Sequence, residues 1–309
     1  MFLNILLLTL SQIVASTSVI AIKMSAIDSI LLASLRVLVA AILLIPLYLR
    51  DSRRAGRNWK TMVSEALPSV LPGLVMAFHF ITWNMGARMT LAANASLIVN
   101  MMPVAMPFIM YGLNRTLISR REIIGTLVAI AGVMALTGPN LRMGSETLVG
   151  DLMCFLAMIL LSLYLALAAK NNRQSSVWLY VVPLYWVAGI TALAVFLATT
   201  LLAGNNGTGA LPASAASFSL LKEGLLAVYL AVFPTIVGHT IFNRSMRVLP
   251  SQLVSIAILS QFIFAGLIAY LVFGEVPELL WYPAALLVIA GAVVVITGKK
   301  NRNNSEIDV

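Results

Sequence analysis

His79–Thr90 reads HFITWNMGARMT and His239–Pro250 reads HTIFNRSMRVLP, and the match between these two stretches decides how the rest of the chain is read. An offset of 159 residues pairs Asn84 with Asn243, Arg88 with Arg247 and Ser96 with Ser255. The same offset pairs Ile130-Ala131-Gly132 with Ile289-Ala290-Gly291, and both copies run on into a Thr-Gly after a one-residue slip. Polar residues held in register over that distance, in so apolar a sequence, mark a tandem duplication. Internal duplication is the signature of secondary-transporter folds.

The composition sets the solvent. Of 309 residues 61% are hydrophobic and 10% charged, against about 45–50% and 25% in an average soluble domain. The net charge of +9 does not point to nucleic acid, because the basic residues sit in short turns between apolar runs. The one cysteine, Cys154, lies inside an apolar run, so the sequence calls for no disulfide, metal cluster or cofactor. The amino terminus, Met1-Phe2-Leu3-Asn4, lacks the basic residues of a signal peptide, so the first apolar run reads as a span.

Ten segments reach or approach the roughly 20 apolar residues a crossing needs: 3–22, 29–49, 66–86, 91–112, 123–138, 150–168, 177–202, 224–242, 251–273 and 279–297. With a cytoplasmic amino terminus, fifteen of the twenty Lys and Arg fall in inner turns, four (Lys23, Arg88, Arg142 and Lys222) in outer turns, and Arg36 in a span. That bias places both termini in the cytoplasm. Five spans per unit is odd, so the second unit enters from the opposite face. The expected fold is an all-α integral membrane protein, ten helices in two inverted five-helix repeats, 1–142 and 143–309, the latter ending in a short polar tail. Its binding site belongs near the midplane between the halves.

Certain residues carry a resemblance: Arg36 in LLASLRVLVA, and Thr90, Ala92, Ala95, Ser96 and Pro103 across spans 3 and 4. In the second half they are GHTIFNRSMRVLPSQLVS, Gly274-Glu275 in LVFGEVP, and ALLVIAGAVVV. Through them nearly the whole chain resembles the drug/metabolite transporter superfamily in its EamA-type ten-span form. The resemblance implies an inner-membrane carrier, often an exporter, working by alternating access, in a superfamily whose members move amino acids, amines, nucleotide derivatives and drugs. Three features depart from the pattern. Arg115-Thr116 stands where the first half would carry Gly-Glu, Gln261-Phe262 stands where span 9 commonly has proline, and the first-span tryptophan is absent.

Arg36 is the most informative residue. It lies seven residues inside span 2, about 10 Å from the outer end, and a charge at that depth faces a cavity or a partner. Ala33 and Ala40 share its stripe and leave room beside it. Its alternatives are structural: bonding to backbone carbonyls of a neighbouring helix, or snorkelling outward. No acidic residue lies mid-span, so an arginine in a cavity favours a carboxylate-bearing solute over a cationic drug. The same absence leaves three couplings open: none, exchange, or proton carriage through His79 and His239. These histidines occupy nearly equivalent places in opposed halves, and nothing in the spacing requires them to meet.

In span 4, Ser96, Asn100, Pro103 and Pro107 follow at helical steps on one face. Pro103 leaves the Val99 carbonyl without a donor, so the stripe reads as an acceptor-rich site for an ammonium group, which with Arg36 would suit a zwitterion such as an amino acid. Helix gluing by Asn and Ser is the plainer alternative. Span 9, lacking the proline, is expected to be straighter. Trp83, Asn243, Ser255 and Gln261 complete the expected substrate-binding set. The partners implied are a small-molecule substrate and the lipid bilayer. An enzyme is disfavoured: there is no HExxH, no acidic pair within a span and no Ser or Cys beside a histidine. A sensor or assembly factor on a transporter fold is the competing class.

Overall fold

The computed structural model describes residues 2–115, 117–143, 146–171, 176–203, 219–248 and 258–305. Among the described residues every regular element is a helix, as a chain in hydrocarbon requires when each backbone group must be satisfied within its own segment. Seven stretches are long and apolar enough to cross a membrane, and two shorter apolar helices, Gln261–Phe273 and Trp281–Val295, join them. The segment expected at 123–138 is a 24-residue helix, α8 (Arg120–Met143). A Ser119/Glu122 capping box starts it, with the Ser119 amide donating to Glu122 (2.6 Å) and the Glu122 amide to Ser119 Oγ (3.2 Å). Large apolar side chains face outward along the helices, Leu201 and Leu202 being 80% and 88% exposed. A water-facing protein would bury such a girdle; lipid covers it here.

In the first half, α1 (Phe2–Ser16) and α2 (Ser18–Met24) form span 1 with an interruption at Thr17. Asp28 caps the 26-residue α3 (Ser29–Arg54) by accepting from the amides of Ile30 and Leu31. α4 (Trp59–Ala66) leads through a 3₁₀ turn into α5 (Val70–Met89). α6 (Ala92–Val99) and α7 (Met102–Asn114) make span 4. In the second half, α9 (Glu146–Asn171) and α10 (Trp178–Ala203) are followed by α11 (Leu220–Leu230), a π-helical stretch 231–239 and α12 (Thr240–Val248), then α13 (Gln261–Phe273) and α14 (Trp281–Ser305).

Equivalent helices of the two halves pack against each other, α3 on α10 and α8 on α14, α6 of span 4 lies on α13 of span 9, and span 1 packs on span 8 as span 3 packs on span 6. Exchanging the halves leaves this pattern unchanged. The contacts also fix direction. Gly125 of α8 lies against Gly291 and Val295, and Gly132, seven residues on, against Ala284 and Leu287. Ser34 donates to the Gly189 carbonyl of α10, whereas Asp51 at the far end of α3 accepts from Ser176 at the start of α10. In both pairs one index rises as the other falls, so the equivalent helices run antiparallel.

One expectation for span 4 is corrected. Span 4 does not present one continuous face, because the helix is interrupted: Met101 donates to Ile98 and Val104 to Met101, in i→i+3 turns between α6 and α7. Ser96, Asn100 and Pro103 therefore point differently from the positions an unbroken helix would give them. The straighter course expected of span 9 falls in part on residues 251–257, which lie outside the described residues. A turn at Ser260 precedes α13, and Ile263 donates to the Ser260 carbonyl (3.2 Å) just as Val104 does to Met101 (2.9 Å), 159 residues earlier.

Candidate functional site

A cavity of about 70 Å³ lies between the halves, lined from both of them, including Arg36, His79 and Asn100 of the first and His239, Ile258 and Gln261 of the second. That volume is several times the roughly 10–15 Å³ minimum for a single water. Of the ten residues expected in the site, six line it: Arg36, His79, Trp83, Asn100, His239 and Gln261. Ser96 and Pro103 are buried beside it without lining it. The Asn243 side chain and all of Ser255 lie outside the described residues.

Arg36 is 1% exposed, which excludes snorkelling. Its Nε donates to Thr235 Oγ1 (3.1 Å) and an Nη to Ser18 Oγ (3.2 Å), and its guanidinium carbon sits 4.4 Å from the centre of the Phe80 ring. These are hydroxyl and cation–π contacts, not a neutralising charge. The ion pairs found among the described residues, Lys23–Glu275, Arg50–Asp51 and Arg57–Glu65, do not involve it. Two hydroxyls and one ring use only part of a five-donor fork, and Ala33 and Ala40, both fully buried, keep the flanking surface small.

The elements around Arg36 explain its placement. Pro234 has no N–H for the Leu230 carbonyl, and the Thr235 hydroxyl fills that role at 2.8 Å. The residues from Ala231 to His239 follow a π rather than an α course, a departure common at functional sites. It turns Thr235 toward Arg36 and leaves the Thr235 carbonyl to accept from the Tyr185 hydroxyl (3.2 Å). The site's cation is therefore held by a strand of contacts from the opposite half.

His79 and His239, which the spacing did not require to meet, lie with ring centres 6.3 Å apart, and the Phe80 ring is 5.1 and 5.3 Å from them. His79 Nδ1 bonds the Ala157 carbonyl at 2.9 Å, which fixes its ring against α9. Gln261 donates to Gln12 at 2.5 Å across the boundary between the halves. The Asn100 side-chain amide donates to the Ser96 carbonyl (2.7 Å), a bond within span 4. Gln12, Ser18, Phe80 and Phe242 line the cavity without having been singled out. Gln12 and Ser18 had a signal, polar side chains inside the first apolar run; the two phenylalanines had none.

Arg36 and two His line the cavity together with amides and aromatic side chains, and no carboxylate is among its described lining residues. A sequence profile described as "EamA-like transporter family" matches residues 1–138 and again 148–297. The chain belongs to the EamA-like transporter family. The family's two copies fall on the two halves whose helices pair across the cavity, and membership makes the protein a multi-pass membrane transporter of small molecules. A solved chain described as "Crystal structure of protein" has the same fold, with a TM-score of 0.59 over 94% of this chain and 96% of that one at 16% identity. That likeness speaks for the fold alone. A comparison with curated proteins finds no match.

Proposed function

We propose that this EamA-like protein is a secondary carrier for a small organic metabolite bearing a carboxylate, an amino acid or other zwitterion being the best fit. It works as an exporter in the inner membrane, with both termini cytoplasmic and ten crossings in two inverted five-helix repeats, 1–142 and 143–309. The halves rock about the central cavity and open it to one side at a time. The observation that carries this reading is Arg36: a guanidinium 1% exposed, facing a cavity between the repeats, bonded to neutral hydroxyls. Burying an uncompensated charge is costly, and an anionic solute arriving in the cavity offsets that cost. Antiparallel pairing of α3 with α10 and of α8 with α14 supports inversion, and the basic residues gathered in alternate turns support the orientation.

A thermal-shift screen of amino acids, amines and nucleotide derivatives on the purified protein tests the solute class. Carboxylate-bearing solutes are expected to raise the Tm of the native protein and to lose that effect in Arg36→Gln. Stabilisation by amines alone, unaltered in Arg36→Gln, would exclude this substrate class.

A further inference from the structure

One end of the bundle gathers the chain's outer turns, and there the carboxylates of the second half reach into the first. Glu275, just after α13, accepts from Lys23 Nζ at the end of α2 (2.5 Å) and, through its other oxygen, from the Ala92 amide at the start of α6 (2.8 Å). Glu223 of α11, 3% exposed, accepts from Ser25 Oγ (2.5 Å) and from the Ala26 amide (3.0 Å), both in the turn between α2 and α3. Arg88 stiffens that turn by donating to the carbonyls of Ile22, Ser25 and Ile27. Two carboxylates of the second repeat thus hold four donors on the first, across the boundary that encloses the cavity.

We propose that Glu223 and Glu275 form a two-point latch that shuts the outer end of the carrier. The inference rests on the two-gate carrier reading above. Repeat equivalence supplies the second half of the argument. Lys23 and Lys170 close the first span of each unit, but the position 159 residues before Glu275 is Thr116. The first half therefore carries no acid at the position equivalent to Glu275. Arg36, seven residues into α3, lies about 10 Å below the latch, so the latch stands between the cavity and the outside without touching the solute. Its chemistry suits a reversible closure. Lys23 and Glu275 are 16% and 19% exposed, and when they part both are rehydrated, which offsets the lost contact.

The test is labelling of a cavity cysteine by a membrane-impermeant maleimide added from the outside. Val99→Cys places the thiol on the cavity wall, and the native Cys154, fully buried, is the background. In this background Glu275→Gln, Lys23→Met and Glu223→Gln are each expected to raise outside labelling about tenfold, the response of a two-state equilibrium that loses one partly buried pair. The exchange Lys23→Glu with Glu275→Lys is expected to bring labelling back toward the parent. Folded single variants whose outside labelling equals the parent's would overturn the latch. Because labelling needs no solute, that result would leave the Arg36 test of the carrier reading standing, and absence of solute binding would leave the labelling result standing.

Discussion

At Arg115 the backbone takes φ 56°, the left-handed conformation, at the end of α7, with its amide donating to the Tyr111 carbonyl (2.9 Å). Its equivalent 159 residues later is Gly274, φ 68°, whose amide donates to the Tyr270 carbonyl (3.0 Å). One geometry is therefore met by a glycine in one half and an arginine in the other. A side chain in that region costs about 1–2 kcal/mol where glycine costs little. Arg115→Gly is expected to raise unfolding stability in detergent by about 1 kcal/mol, measured by chemical denaturation; a loss of stability would show that the exposed arginine makes contacts worth more than its strain. Residue by residue, the sequence showed the site's charged members plainly and its neutral ones poorly. Arg36, His79 and His239 stand out because ionisable side chains are rare and expensive in apolar runs. Thr235 does not stand out, since a lone hydroxyl in an apolar helix commonly bonds its own backbone, and only the meeting of distant elements shows that it holds a guanidinium.

The helices were legible in place but not in their interruptions. Apolar length and turn chemistry gave segments at 29–49, 150–168 and 177–202 that α3, α9 and α10 fill. The interruption between α6 and α7 escaped because a pair of i→i+3 turns leaves the apolar run unbroken. The π course of 231–239 escaped because a change of helical register alters neither hydropathy nor length. Packing between elements, by contrast, rests on small residues that the repeat made visible. A Cβ added at Gly125 would stand 2.5 Å from the Gly291 carbonyl oxygen, and one at Gly291 would collide with Gly125 and Ala129. Backbone this close cannot yield without separating α8 from α14. Gly291→Val is expected to cost about 1–3 kcal/mol, read as a lowered thermal midpoint, while Gly112→Ala, with open space around it, serves as the neutral control. Equal stability of the two variants would mean that the crossing is looser than the contacts imply.

For the whole molecule, the duplication pointed to an architecture before any helix was placed, because an odd number of expected spans per unit requires the halves to run in contrary directions. The antiparallel pairing of equivalent helices meets that requirement. What the sequence could not give was which parts of the halves touch. His79 and His239 converge, Gln12 reaches Gln261, and Arg36 is held from the far repeat, all through contacts between residues more than 150 positions apart. Such pairings follow from closure of the bundle rather than from any local pattern. In the proposed carrier the solute sits in the cavity at Arg36 while it crosses. Flux of a carboxylate-bearing solute into proteoliposomes, comparing the native protein with Arg36→Gln and Arg36→Lys, is the direct measurement of that role. Saturable flux is expected to fall at least about tenfold in Arg36→Gln and to be partly kept in Arg36→Lys; flux through a folded Arg36→Gln protein at the native rate would rule that role out.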